Sequence, residues 1–100
     1  MNGGYVGILA VELRFPEAGS LKDKRQYLRA TKAQLQNRFG ASVAETDHHD
    51  LWQRSTLVVA LAGAEVRALE QLMDGAERFL RGQEYELILL SRRITKPDED

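Results

Sequence analysis

The sequence predicts an α+β fold with element order β-α-β-β-α-β: a four-stranded antiparallel sheet with two helices on one face. Three observations predict it. Four β-rich runs, at residues 5–15, 41–46, 51–63 and 85–94, are interrupted by two runs of helical period, at residues 20–39 and 65–81. A glycine stands where each helical run stops, Gly40 and Gly82. With 100 residues and 43% hydrophobic content, the chain can build one modest core, which fits a single domain over residues 1–96 and a polar acidic tail over residues 97–100.

The first run, YVGILAVELRF, places Tyr5, Leu9, Val11, Leu13 and Phe15 on odd positions and Glu12 and Arg14 on even ones. Pro16 has no N–H to give a ladder and ends the strand. Ser20 then fits a helix N-cap, and Asp23 three residues later makes a capping-box-like pair with it. Leu21, Leu28, Leu35 and Phe39 share one helical face, with Thr31 beside them. ASVAET reads as a short strand, DHHD as a polar turn, and LWQRSTLVVALAG as a long strand closed by Gly63. Val66, Leu69, Met73, Ala76 and Leu80 recur at steps of three and four, the mark of a second amphipathic helix. YELILLSRRI is the last strand. Right-handed crossovers put the first and third strands at the centre of the sheet.

Three segments, SLKDKR after the first strand, NRFGASVAE leaving the first helix and DLWQRSTLVVA opening the third strand, stand in an order and spacing that resembles the YlxP-like family of small bacterial proteins. The likeness covers residues 5–63; the second helix and last strand agree in pattern alone. It implies a ferredoxin-like fold and a bacterial cytoplasmic protein. The family brings no established activity, so no catalytic set, cofactor or metal carries over. Its members are often encoded near translation and ribosome-maturation factors. Ser20 to Arg25 and Asp50 to Arg54 carry the likeness.

Composition narrows the classes of function. The chain has no cysteine, hence no disulfide framework, thiol nucleophile or thiolate metal site, as suits a reducing cytoplasm. No apolar run approaches the ~20 residues of a membrane helix. The N-terminal run lacks a basic leader, so no signal peptide is expected. Net charge is only −1, yet residues 20–39 hold six cations, Lys22, Lys24, Arg25, Arg29, Lys32 and Arg38, against one acid, Asp23. A basic patch on an otherwise acidic chain points to an anionic partner.

Within that patch Lys22, Arg25, Arg29 and Lys32 fall in a sector of about 80° along one flank of the helix, extended by Gln36. Cations in the first turn oppose the helix dipole by ~0.3–1 kcal/mol each when unscreened, and neighbours at these spacings repel. An anion such as RNA phosphate relieves both. Lys24 joins this anion-binding set, although its position near the centre of the apolar face requires its head to snorkel or to meet a partner. The competing reading is structural: Lys and Arg stems cover apolar surface, and acids elsewhere, Glu12 or those of the second helix, neutralise the patch.

Other candidates are weaker. Asp47, His48, His49 and Asp50 suggest a metal, but no third ligand follows at a defined spacing, so none is expected. Asp50 reads as a turn-former that accepts backbone N–H bonds. Trp52 is expected to pack at a sheet end with its N–H bonded, the alternative being an exposed anchor, and Arg54 to share its face of the strand. Val6, Ile8 and Ala10 face away from the helices and form an apolar face for a homodimer. Neither face of the third strand offers the aromatics of an RNA-recognition motif. Glu12 is expected to pair with Arg54 or Arg92. No nucleophile elbow or phosphate loop is present, so no catalytic residue is assigned. The sequence therefore predicts a non-enzymatic binding module without cofactor, homodimeric, docking on RNA or the ribosome through its first helix. A scaffold or regulatory protein that binds an acidic protein or small anion is the second class; a metal enzyme rests on His48 and His49 alone.

Overall fold

The computed structural model describes residues 3–98. Glu99 and Asp100, the end of the expected acidic tail, lie outside the described residues, as do Met1 and Asn2. Six elements follow in the expected order: β1 (Tyr5–Arg14), α1 (Leu21–Phe39), β2 (Ser42–Asp47), β3 (Arg54–Gly63), α2 (Val66–Arg81) and β4 (Glu86–Thr95). The strands form one sheet in the order β2-β3-β1-β4, each neighbouring pair antiparallel. β1 and β3 are thus central, and the fold is ferredoxin-like α+β. Among the described residues no helix is long and apolar enough to cross a membrane.

Alternation along the central strands places the core. Leu9, Val11 and Leu13 of β1 and Leu57, Val59 and Leu61 of β3 are at most 2% exposed. They join Leu28 and Leu35 of α1 with Leu69, Met73, Ala76 and Leu80 of α2 in one cluster. Each aliphatic side chain taken from water in this way contributes about 1.5–3 kcal/mol. Gly7 allows α2 to sit close to β1, since a Cβ there would stand 2.5 Å from Met73 Sδ. On the other side of the sheet, Val6 lies opposite Ala62, Ile8 opposite Ala60 and Ala10 opposite Val58. These positions turn away from the helices because strand side chains alternate.

Ser20 caps α1 as expected: its Oγ accepts the Asp23 N–H at 3.1 Å. The Asp23 carboxylate accepts the N–H of Gly19, one residue before the cap, at 3.0 Å. Gly40 ends the helix at φ 67°, a left-handed conformation that costs glycine little, and its N–H donates to the Gln36 carbonyl at 3.0 Å.

One boundary differs from the sequence reading. The β-rich run opens at Leu51, yet β3 begins at Arg54, and Leu51, Trp52 and Gln53 belong to the β2–β3 loop. The cause is local. His48 takes the left-handed region at φ 62°, and the Leu51 N–H closes back on the His48 carbonyl at 3.2 Å. The carbonyls of His48 and His49 then accept bonds from the Lys24 ammonium instead of a strand partner. A second irregularity lies on β2, where the register shifts between Glu45 and Asp47 and leaves Thr46 as an extra residue. This bulge keeps Glu45 on the helix-facing side and sends the following residues into the loop.

Candidate nucleic-acid interface

The first turn of α1 meets the β2–β3 loop at one buried cation. Lys24 is 1% exposed, and its ammonium reaches Glu45 Oε2 at 3.1 Å, the carbonyl oxygens of His48 at 2.8 Å and His49 at 3.3 Å, and that of Arg54 at 3.1 Å. Its position near the apolar centre of the helix is met by partners inside the fold, so Lys24 leaves the set of residues offered to an anion. Glu45 is in turn bonded by the Ser55 hydroxyl at 2.5 Å. Burial pushes the Glu45 carboxyl up, but the bonds from Ser55 and Lys24 together outweigh it and hold the group below its ordinary range.

The other four cations are placed differently. Lys22, Arg25 and Arg29 are exposed and Lys32 is half-buried. Among the described residues none of the four forms an ion pair. Asp23, the one acid in the first turn of α1, spends its carboxylate on the Gly19 N–H. Of the acids named as neutralisers, Glu12, Asp74 and Glu77 are engaged elsewhere, and Glu70 forms no ion pair among the described residues. Glu12 receives Arg54 Nη2 at 2.9 Å and Arg14 Nε at 2.8 Å, so of the two expected partners, Arg54 and Arg92, it is Arg54 that pairs with it. Bonds from Arg54 and Arg14 overcome burial and lower the Glu12 carboxyl from its ordinary 4.5 to about 2. Asp74 and Glu77 of α2 take Arg92, at 2.7 and 3.3 Å.

The β2–β3 loop holds the histidines and the tryptophan. His48 donates its backbone N–H to Asp47 Oδ1 at 2.7 Å, and His49 Nε2 lies 3.2 Å from the Glu45 carbonyl. Asp47 thus takes the local turn-forming bond expected of Asp50. Among the described residues no group of three or more His, Asp or Glu is placed to hold a metal ion. Trp52 is 49% exposed and Leu51 45%, and among the described residues no hydrogen bond is made by the indole N–H. Trp52 therefore does not pack at the sheet end as the sequence reading expects, nor does it share a strand face with Arg54, because it lies outside β3.

The open face of the sheet carries Val6, Ile8 and Ala10 with Val58 and Ala60, all half-buried, and Ile88 and Leu90 at 37% and 53% exposure. No aromatic side chain lies among the β1 and β3 positions of this face. Leu90 is the extra residue of a bulge, since Ala10 pairs with Ser91 and Val11 with Leu89. On the helical side, a groove of about 750 Å³ runs between α1 and the α2–β4 junction, lined by Tyr27, Thr31, Phe79 and Tyr85. Its inner hydroxyls satisfy each other, Thr31 Oγ1 to Tyr85 Oη at 2.9 Å, and burial pushes the Tyr85 phenol up. The sequence did not reveal this groove, since its walls come from residues far apart in the chain. By helical geometry the α1 residues that line it, such as Tyr27, Ala30 and Gln34, occupy the flank away from the basic stripe.

Comparison with known proteins agrees with the resemblance of the three sequence segments. A family model described as "Protein of unknown function (DUF503)" matches residues 6–93. The uncharacterized protein YlxP of Bacillus subtilis (strain 168) is 32% identical over 68 residues, 67% of this chain and 74% of that protein. Among solved structures, the de novo designed protein Ferredog-Diesel aligns with 96% of this chain and 88% of its own at 16% identity and a TM-score of 0.41. The family match spans all six structural elements in whole or in large part, and the chain belongs to the DUF503 family.

Proposed function

We propose that the chain is a cytoplasmic, non-enzymatic binding module that docks on RNA, with ribosomal RNA as the leading target, through the stripe Lys22, Arg25, Arg29 and Lys32. The observation that supports this reading is the contrast between two kinds of cation. Lys24, Arg54 and Arg92 are answered by carboxylates of the fold, whereas among the described residues no carboxylate pairs with the four cations along one flank of α1. A continuous run of unanswered cations at a helix N-terminal half, beside backbone N–H groups that already favour anions, suits phosphate. Arg25 and Arg29 sit one helical turn apart, a spacing of about 6 Å, close to that of successive phosphates on a nucleic-acid strand.

The test is the quadruple variant Lys22→Gln, Arg25→Gln, Arg29→Gln, Lys32→Gln. RNA binding at low salt is expected to be lost, with the melting temperature unchanged or slightly raised because dipole conflict and mutual repulsion disappear. Each single change should weaken all RNA sequences alike and lower the salt slope by roughly 0.7 per single-strand contact. Unchanged RNA retention with a large fall in melting temperature would show the stripe to be structural.

A second feature supports assembly. We propose that a second copy of the chain covers the open sheet face, whose apolar positions have no helix over them. The two readings are compatible, because the stripe lies on the helical layer and the apolar face on the opposite side of the sheet.

A further inference from the structure

We propose that Trp52 is a stacking platform for a base of single-stranded RNA whose backbone follows the stripe on α1; this rests on the RNA reading above and adds to it the class of RNA and the residue that selects it. The loop around Trp52 is fixed while its ring is left out. On the N-terminal side, the carbonyls of His48 and His49 accept bonds from the Lys24 ammonium. On the C-terminal side, Arg54 offers its carbonyl to the same ammonium at 3.1 Å, and the Gln53 carbonyl accepts the Phe15 N–H at 2.9 Å. Trp52 is thus held between anchored residues, with half its surface in solvent and no partner for its indole N–H among the described residues.

A tryptophan with a structural role buries its ring or bonds its N–H. This one leaves half its surface in solvent and has no N–H partner among the described residues, although its backbone is tied down on both sides. The tie is also what places it. Lys24 belongs to the first turn of α1, so the bonds that fix the loop hold it at the end of the helix where the stripe begins, with Lys22 and Arg25 on a different flank from the Lys24 side chain. An aromatic platform at the end of a row of cations suits a single strand, the cations following phosphates and the ring taking one base face. A duplex keeps its bases stacked and offers none to the ring. The open sheet face lacks aromatics on its central strands, so the loop supplies the stacking surface that the sheet does not.

Trp52 is the only tryptophan in the chain, so tryptophan emission, excited at wavelengths the three tyrosines do not absorb, reports on it alone. The probes are a short oligouridylate and an RNA duplex of the same length, titrated at low salt. The expected result is that oligouridylate quenches and shifts the emission and binds more tightly than the duplex. Trp52→Ala should then weaken oligouridylate by about 5- to 140-fold, the range for one stacked base, and leave duplex affinity and melting temperature unchanged. Trp52→Phe should restore much of the loss. If oligouridylate and duplex bind equally, without quenching, and Trp52→Ala alters neither, stacking is overturned while the stripe reading stands. An equal loss of both in Trp52→Ala would assign the ring to loop structure and also overturn the proposal. If the wild-type chain binds no RNA even at low salt, the failure lies with the stripe reading itself.

Discussion

Lys24 shows how far a residue can be read from its own neighbourhood in the chain. Its place near the middle of the apolar face is legible from helical period alone, and so is the need for a partner. The partners are not: Glu45, His48, His49 and Arg54 lie on a strand and loop whose approach depends on the β2 bulge and on the left-handed His48. Counted by charge and position, Lys24 joins the stripe; placed in three dimensions, it is a buried ammonium with four acceptors. Lys24→Met keeps the length and apolar stem but leaves Glu45 and three carbonyls without their donor. Removing one partner of a buried ion pair costs about 3–5 kcal/mol, and urea denaturation should show a loss of that size. Lys22→Gln, two residues away and exposed, should leave the midpoint nearly unchanged. A Lys24→Met midpoint equal to wild type would mean that the carbonyls find water without penalty and that the loop is not held by this contact.

The elements themselves were the most legible part of the molecule. β1 and β3 alternate, α1 and α2 keep the helical period, and Gly40 and Gly82 stop the helices, so every boundary but one lies within one residue of the sequence reading. The exception, residues 51–53, is apolar enough to read as strand; it fails because its preceding carbonyls are drawn to Lys24. Glu12 shows the complementary case, in which one side chain ties two elements. It sits 7% exposed near the end of β1 and binds Arg14 on its own strand and Arg54 at the start of β3. The sequence left Arg54 and Arg92 as alternatives, and the structure takes Arg54 because it and Glu12 fall on one face of adjacent strands while Arg92 turns to α2. Its carboxyl is lowered from 4.5 to about 2, so the unfolded chain takes up a proton at higher pH than the folded one. The contribution to stability is therefore fully present above about pH 4.5 and is lost as pH falls through about 2. Melting temperature should drop across that window in the wild-type chain. In Glu12→Gln the drop should be shallower, with a remainder from Glu45, which is lowered in the same sense. An identical acid limb in the two proteins would show that Glu12 and its arginines do not join the strands in solution.

At the scale of the whole molecule, the near-neutral net charge hides a division of labour between surfaces. The helical layer carries the cationic flank, and the opposite face of the sheet is apolar on its two central strands, with Arg93 and Ser91 of β4 beside Ile8 and Ala10 and with Glu12, Arg14 and Arg54 at one end. A two-layer fold has helices for only one side of its sheet, and among the described residues no helix covers Val6, Ile8, Ala10, Val58, Ala60 and the exposed Ile88 and Leu90. Contiguous apolar surface of this kind marks an interaction site, and a second sheet packs on such a face with aligned strands. A self-complementary pair would bury on the order of 1,000 Å² or more, enough for a dimer at micromolar concentration. Light scattering should then give twice the 11.3 kDa chain mass. Ile8→Glu should yield a folded monomer, since Ile8 is half-buried on the outer face and the core on the helical side is untouched. The quadruple stripe variant should remain dimeric. Because a dimer joined through its sheets carries its two stripes on outer layers, Ile8→Glu should leave affinity for a short, single-site RNA unchanged and weaken binding to a long RNA that spans both stripes. A clean monomer for the wild-type chain at micromolar concentration would sink the self-association and leave this face to a different partner.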